Sequence, residues 1–309
     1  MRVGIVGAGA VGGYFGGRLA EKGADVTFLV RPNRKKRLTE KGLVIHSPIH
    51  GNSHRSVSVV TPEETAPPFD LLIVAVKAYH LDSVIPFMQT FSDQHTMILP
   101  LLNGYAHIDH LQQAFSKDSI FGGFCFMEST LDQSGEIHLL GKHHRLVYGE
   151  LQENANHARM DQLKQLFADA NLEAVQSDFI ETEMWNKYQY IAALSGMTTL
   201  MRSEIGAIRD STYGSELYQQ LLNEIYQVTI RQPLPKPPES PDIIWNRVQK
   251  ASPQSTSSMY RDLKQGLPIE TDHLHGSLVR WGKEANLSLP ILTTIYTGLS
   301  LYQPSGSSL

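Results

Sequence analysis

The sequence predicts an α/β N-terminal domain, a mostly parallel doubly wound sheet with antiparallel edge strands, followed by an all-α C-terminal domain. Three observations carry this. Short apolar runs alternate with helical patterns through the first half, a glycine-rich strand-to-helix turn opens the chain, and strand patterns nearly vanish after residue 180. The 309 residues suffice for two compact domains, placed at 1–178 and 179–309.

The runs VGIV at 3–6, DVTFLV at 25–30, DLLIVAV at 70–76 and MILPLL at 97–102 are separated by enough chain for helical crossovers, so they read as parallel strands. Stretches 43–60 and 136–151 each alternate like two short strands around a turn and are expected to extend the sheet as antiparallel edges. An amphipathic helix over 156–170 and a strand in LEAVQS at 172–177 complete the first domain. Helical spacing then runs through 180–201, 204–230, 241–265 and 269–286. Five prolines in RQPLPKPPESPD at 231–242 remove amide donors and block a helix, so this segment is an exposed connection. The tail QPSGSSL is expected to fray.

Composition excludes several function classes. With 41% hydrophobic residues, 19% charged and a net charge of −4, the chain has no apolar run near a membrane span. No charged-then-apolar leader precedes the first strand, so a cytoplasmic location is expected. Cys125 alone cannot form an intramolecular disulfide; in IFGGFCFM it reads as a buried, inert thiol. Acidic residues slightly outnumber basic ones, and the dense basic run RPNRKKR at 31–37 is local, so no nucleic-acid partner is expected.

In GIVGAGAVGG, Gly7, Gly9 and Gly12 have the G-x-G-x-x-G spacing between a strand and a helix, with Ala8, Ala10 and Val11 in the same turn. The first glycine permits the tight turn, the second lets a pyrophosphate approach the backbone, and the third allows close helix packing. The helix N-terminus turns unpaired N–H groups and a positive dipole end toward the anion. This is a Rossmann-type dinucleotide turn. An NAD site places Asp or Glu after the second strand to accept from the ribose 2′-hydroxyl. Here Arg31 follows VTFLV, and a guanidinium pairs with a 2′-phosphate, so NADP(H) is the expected cofactor, with Arg34 and Lys35 as reinforcements. Ligands of open α/β sheets bind at the carboxyl ends of strands. Lys77 follows DLLIVAV, and Asn103 and Gly104 follow MILPLL, placing these groups on the same rim.

Thirteen histidines raise the question of a metal. His46, His50 and His54 are four apart, but Pro48 and Gly51 exclude the helix that would align them; no metal site is expected. His143, His144, His273 and His275 read as turn and helix-surface residues. GGYFGG at 12–17 reads as close packing of a helix on the sheet.

With Lys77, LLNG at 101–104, MWNKYQYIAALSGMT at 184–198 and SSMYRDLKQGLPIETDHLHGSLVRWGKEANLSLP at 257–290, the chain resembles the ketopantoate reductase (2-dehydropantoate 2-reductase) family over nearly its full length. The resemblance implies a Rossmann domain and a helical domain, with NADPH and a 2-oxo acid meeting in the cleft, and a link to pantothenate biosynthesis. It gives Lys187 the place of the catalytic lysine. Glu270 matches the acid that contacts cofactor or substrate, Ser258 the serine at the substrate carboxylate, and Asn103 the asparagine near the nicotinamide; Lys77 joins the cofactor set. The chemistry needs these types, because hydride arriving at a ketone carbon leaves an alkoxide that wants a cation and a proton. Helical spacing aligns Lys187, Ile191, Ser195 and Thr198 on one face. Family members acting on ketopantoate carry substrate-binding asparagines where this chain has Ile191, Ser195 and Ile205. Three lost amides remove hydrogen bonds worth about 1 kcal/mol each. The expected activity is NADPH-dependent reduction of a 2-oxo acid by a monomer or homodimer, on a substrate that differs from ketopantoate. Two alternatives are a β-hydroxyacid-type dehydrogenase, opposed by the SSMYRDL and IETD block, and a non-catalytic NADPH-responsive binding protein, opposed by the joint presence of Lys187, Ser258 and Glu270.

Overall fold

A computed structural model describes residues 1–151, 157–168 and 170–305. The ends of the helix expected over 156–170, and residues 306–309 of the tail, include positions outside the described residues. The chain divides into two compact units, Met1–Leu102 with His107–Ile180, and Asn103–Ala106 with Glu181–Leu309.

The first unit opens with β1 (Arg2–Val6), α1 (Ala10–Glu21), β2 (Asp25–Leu29) and α2 (Pro32–Lys41). There follow β3 (Leu43–His46), β4 (Ser53–Arg55), β5 (Ser58–Val60), β6 (Leu71–Val74), a 3-10 turn at Ala78–His80, α3 (Leu81–Thr90) and β7 (Met97–Pro100). It closes with α4 (His107–Ala114), β8 (Phe121–Leu131), β9 (Ile137–Glu150), α5 (His157–Phe167) and β10 (Glu173–Gln176). A wholly parallel sheet runs in the order β5-β2-β1-β6-β7. Its interior strand β6 is buried at every position, as a strand covered on both faces must be.

The antiparallel pairs fall in a second sheet, ordered β10-β9-β3-β4 with β8 on β9, rather than on the edges of the first. One isolated parallel bridge, Ile98 to Ile120, connects the two. Helix α1 explains the division. A Cβ at Gly16 would press on Ile5 and Phe28 of the parallel sheet, whereas one at Gly13 or Gly17 would overlap Ile137 or Ile45 of the second, so α1 packs on both. Stretch 136–151 is one long strand, not two around a turn. Opposite the single residue Glu128, between Met127 and Ser129, β9 carries the stretch Leu140 to His143, and this bulge mimics a turn in the pattern. Cys125 lies in β8 and is half-buried, not enclosed. His143 and His144 stand in β9 rather than in a turn.

The second unit is helical: α6 (Ile180–Leu200), α7 (Ile205–Asp210), α8 (Gly214–Thr229), α9 (Pro241–Lys250), α10 (Ser258–Lys264), a π-helical turn at Asp272–Gly276 that runs into α11 (Ser277–Glu284), and α12 (Pro290–Ser300). Two expected helices are each divided. Stretch 204–230 breaks at Ser211–Tyr213, and 241–265 breaks around Pro253, which cannot donate to a helical ladder. Helix α12, absent from the sequence reading, starts on Pro290 as its first residue. Trp185, Tyr188, Leu221, Ile225, Leu278 and Leu292 form the centre of this unit's core. Among the described residues no helix is long and apolar enough to cross a membrane.

Candidate functional site

In the first unit the glycine turn separates two demands. Gly7 has φ +100°, and a Cβ there would lie 2.9 Å from the Ala75 carbonyl oxygen. A Cβ at Gly12 would overlap the Gly7 carbonyl oxygen and crowd Ala75 and Ile5. The protein's own backbone therefore requires both glycines. Gly9 differs: its φ is −81° and a Cβ would meet nothing within 4 Å. It caps α1 without a side-chain hydrogen bond, and the first turn, from Ala10 and Val11, holds no acid. Nothing inside the protein asks for glycine at this position. The space outside the turn is open at this point, and such a cradle fits the pyrophosphate of a dinucleotide.

Arg31 follows β2 and caps α2; its exposed guanidinium stands 3.2 Å from Nδ1 of His80. His80 ends the 3-10 turn that begins after Lys77, which is half-buried. Arg34 Nε donates to the Ala8 carbonyl at 3.2 Å, bracing the glycine turn, and its Nη1 donates to Gly135 at 3.0 Å. Burial and the neighbouring Arg37 push the Arg34 pKa down. Lys35, read as a phosphate contact, is instead paired with Glu64, which also accepts from the Thr61 backbone N–H.

In the second unit Lys187 is only 8% exposed, and its Nζ donates to Oδ1 of Asn103 at 3.0 Å. Asn103 in turn accepts at its backbone oxygen from Nε2 of His273, 2.7 Å away, which fixes the donating tautomer of that ring. Gly104, at φ +82°, lies so close to the His273 ring that a Cβ would come within 2.9 Å of Nε2. Tyr105 donates to Glu181 at 2.8 Å and stacks on Trp185 at 5.0 Å between ring centroids. These contacts explain why Asn103–Ala106, expected to belong to the first domain, groups with the helices. Burial raises the Glu181 pKa.

Helix α6 is pinned to the segment after Ile269 at two successive turns. Tyr188 donates to the Leu274 carbonyl at 2.7 Å, and Nε2 of His275 donates to the Ala192 carbonyl at 3.0 Å. His275 is completely buried, not on a helix surface, and burial pushes its pKa down to about 4. Burial likewise raises the Tyr188 pKa above its ordinary value. Glu270 is buried at the start of this segment, where its carbonyl accepts from Leu274 N–H.

Ser258 is the exposed first residue of α10. Its neighbour Ser257 is the buried one: it caps α10 by accepting from Tyr260 N–H and lies 3.0 Å from Oγ1 of Thr198 on α6. Along α6, Ile191 is half-buried, Ser195 buried and Thr198 fully buried. Ile205 is wholly inside the helical core. The structure thus joins Lys187 directly to Asn103 and fastens α6 to the segment that carries Glu270. Sequence reasoning missed His273, His275, Tyr188 and Ser257, whose partners are 59 to 170 residues away.

The family profile described as "Ketopantoate reductase PanE/ApbA" matches residues 3–153, and "Ketopantoate reductase PanE/ApbA C terminal" matches 179–303. The "Uncharacterized oxidoreductase YkpB" of Bacillus subtilis is 41% identical over 303 residues, covering 98% of this chain and 99% of the relative. The 2-dehydropantoate 2-reductase of Lactococcus lactis is 27% identical, covering 94% of both chains. A crystal structure of 2-dehydropantoate 2-reductase from Geobacter metallireducens superposes with a TM-score of 0.88 at 25% identity, covering 97% of this chain and 99% of that one.

Proposed function

This chain belongs to the ketopantoate reductase family of oxidoreductases, and from that premise we propose that it reduces the keto group of a 2-oxo acid with NADPH. The observation that carries the reading is the buried Lys187 ammonium held by Asn103. A buried cation in fixed geometry, supported by a loop that His273 holds from behind, is suited to the charge that grows on a carbonyl oxygen. The same ammonium is a proton source for the nascent alkoxide. Glu270 is assigned the contact with cofactor or substrate, and Ser258 the substrate carboxylate.

The open position at Gly9 and the bare N-terminus of α1 fit a dinucleotide pyrophosphate. NADPH, when bound, supplies the hydride. Gly7, Ala8, Gly9, Ala10, Val11 and Gly12 would hold its pyrophosphate and Arg31 its 2′-phosphate, with Lys77 and Asn103 as further contacts. A basic group in place of an acid after β2 supports NADP(H) over NAD(H). At the family's asparagine positions on α6, the half-buried Ile191 and the buried Ser195 support a substrate with a bulkier or less hydroxylated side chain than ketopantoate, since a substrate hydroxyl without a partner costs about 1–3 kcal/mol to bury. Replacing Lys187 by Ala tests the reading. Turnover should fall about 10²-fold or more while NADPH affinity stays near that of the parent. Near-normal turnover in the variant would move the proton-donating role to another residue.

A further inference from the structure

We propose that the outer face of the second sheet carries a binding site for one zinc-type divalent cation, with His46, His138 and Glu136 as ligands and Asp132 orienting His138. This site is separate from the groups assigned to reduction. The parallel register of β3 and β9 sets His46 beside His138. Their neighbours Ile45 and Ile137 are buried against α1, so strand alternation puts both imidazoles on the opposite face. The rings stack with centroids 4.5 Å apart at 17°. Glu136, immediately before β9, places Oε2 2.7 Å from Nε2 of His46.

One ligating atom from each of the three residues lies within 4.8 Å of the other two. Ligands about 2.0–2.1 Å from a tetrahedral zinc ion are about 3.3 Å apart, so modest side-chain rotation closes the set. The ion would take the place of the hydrogen bond between His46 and Glu136. Asp132 accepts from Nε2 of His138 at 3.0 Å and is itself fixed by Ser134 Oγ and Glu136 N–H, each at 2.8 Å. A carboxylate behind an imidazole is the usual support of a metal-binding histidine. Arg34 holds the turn from its other side through the Gly135 carbonyl. The ligand side chains are about one-third exposed, open to an entering ion. Two imidazoles and a carboxylate favour zinc, cobalt or nickel over magnesium or calcium. Only two residue pairs join β3 to β9, and both sit at this point, so a bound ion would brace the junction against which α1 packs.

The test is titration of the chelator-treated full chain with Zn(II) by calorimetry and with Co(II) by visible absorption. We expect saturable binding of one ion per chain, a four-coordinate Co(II) spectrum and a raised thermal midpoint. His138→Ala and Glu136→Gln should each weaken binding at least about tenfold, and Asp132→Asn about 10- to 100-fold. NADPH affinity should be unchanged in all three, which reports their folding independently. The proposal is overturned if the parent shows no saturable binding tighter than about 1 mM, or if these variants bind like the parent. It is also overturned if binding is lost on His144→Ala instead, since His50 and His144 approach to 3.3 Å between Nε2 atoms and form the competing pair.

Discussion

Gly9→Ala and Gly12→Ala add the same methyl group three residues apart and should fail in different ways. At Gly12 the new Cβ overlaps the Gly7 carbonyl oxygen and lies 3.0 Å from Ala75 Cβ and 3.1 Å from Ile5 Cγ2. Backbone must move to relieve this, so overpacking should cost about 1–3 kcal/mol of stability, with NADPH binding lost alongside. At Gly9 the added carbon meets no protein atom, and φ −81° with ψ −165° is open to alanine. The loss of an N-cap glycine should cost under about 1 kcal/mol. A methyl standing where the pyrophosphate approaches should, however, remove charge-assisted hydrogen bonds worth about 1.5–3 kcal/mol, raising the NADPH dissociation constant roughly ten- to a hundredfold. Urea unfolding of the free proteins gives the first quantity, and titration of NADPH fluorescence the second. A Gly9→Ala protein that binds NADPH within about twofold of the parent would refute the cradle, because space left open for a ligand would then hold none.

Two further outcomes follow from named contacts. Arg31→Ala should reduce the preference for NADPH over NADH by roughly ten- to a hundredfold, measured as paired dissociation constants; equal affinities for the two cofactors in the parent would remove the role given to Arg31. His275, neutral in the fold with a pKa of about 4, takes up its proton only on unfolding between about pH 6.5 and 4, so stability is complete above that window and falls as pH drops through it. Between about pH 7.5 and 4.5 the parent should lose about 2–3 kcal/mol more unfolding free energy than His275→Asn, and equal losses would show that the ring charges in the native state.

What could be read in the sequence was what neighbouring residues decide. The glycine turn, the strand before it and Arg31 after β2 are local, and the structure places them where spacing alone does. The long strand β9 was misread because the extra residues of its own bulge, Leu140 to His143, break the alternation opposite Glu128 of β8. Lys35 looked like a phosphate ligand because Glu64, its partner, is 29 residues away. The support behind Lys187 was invisible for the same reason: nothing in IETDHLHG announces that one histidine will hold the Asn103 carbonyl and another, two residues on, the Ala192 carbonyl. Ile205 stands where the family carries an asparagine, and its burial in the helical core depends on contacts that the local sequence does not display.

The central claim is a reductase whose substrate is not ketopantoate, and steady-state kinetics with NADPH tests it most directly. Ketopantoate would be compared with branched and aromatic 2-oxo acids under the same conditions. We predict measurable NADPH oxidation with at least one branched or aromatic acid, at a kcat/KM above that for ketopantoate. A kcat/KM for ketopantoate above about 10⁵ M⁻¹s⁻¹ that exceeds every alternative would contradict the substrate assignment, and no turnover of any 2-oxo acid would contradict the reductase itself.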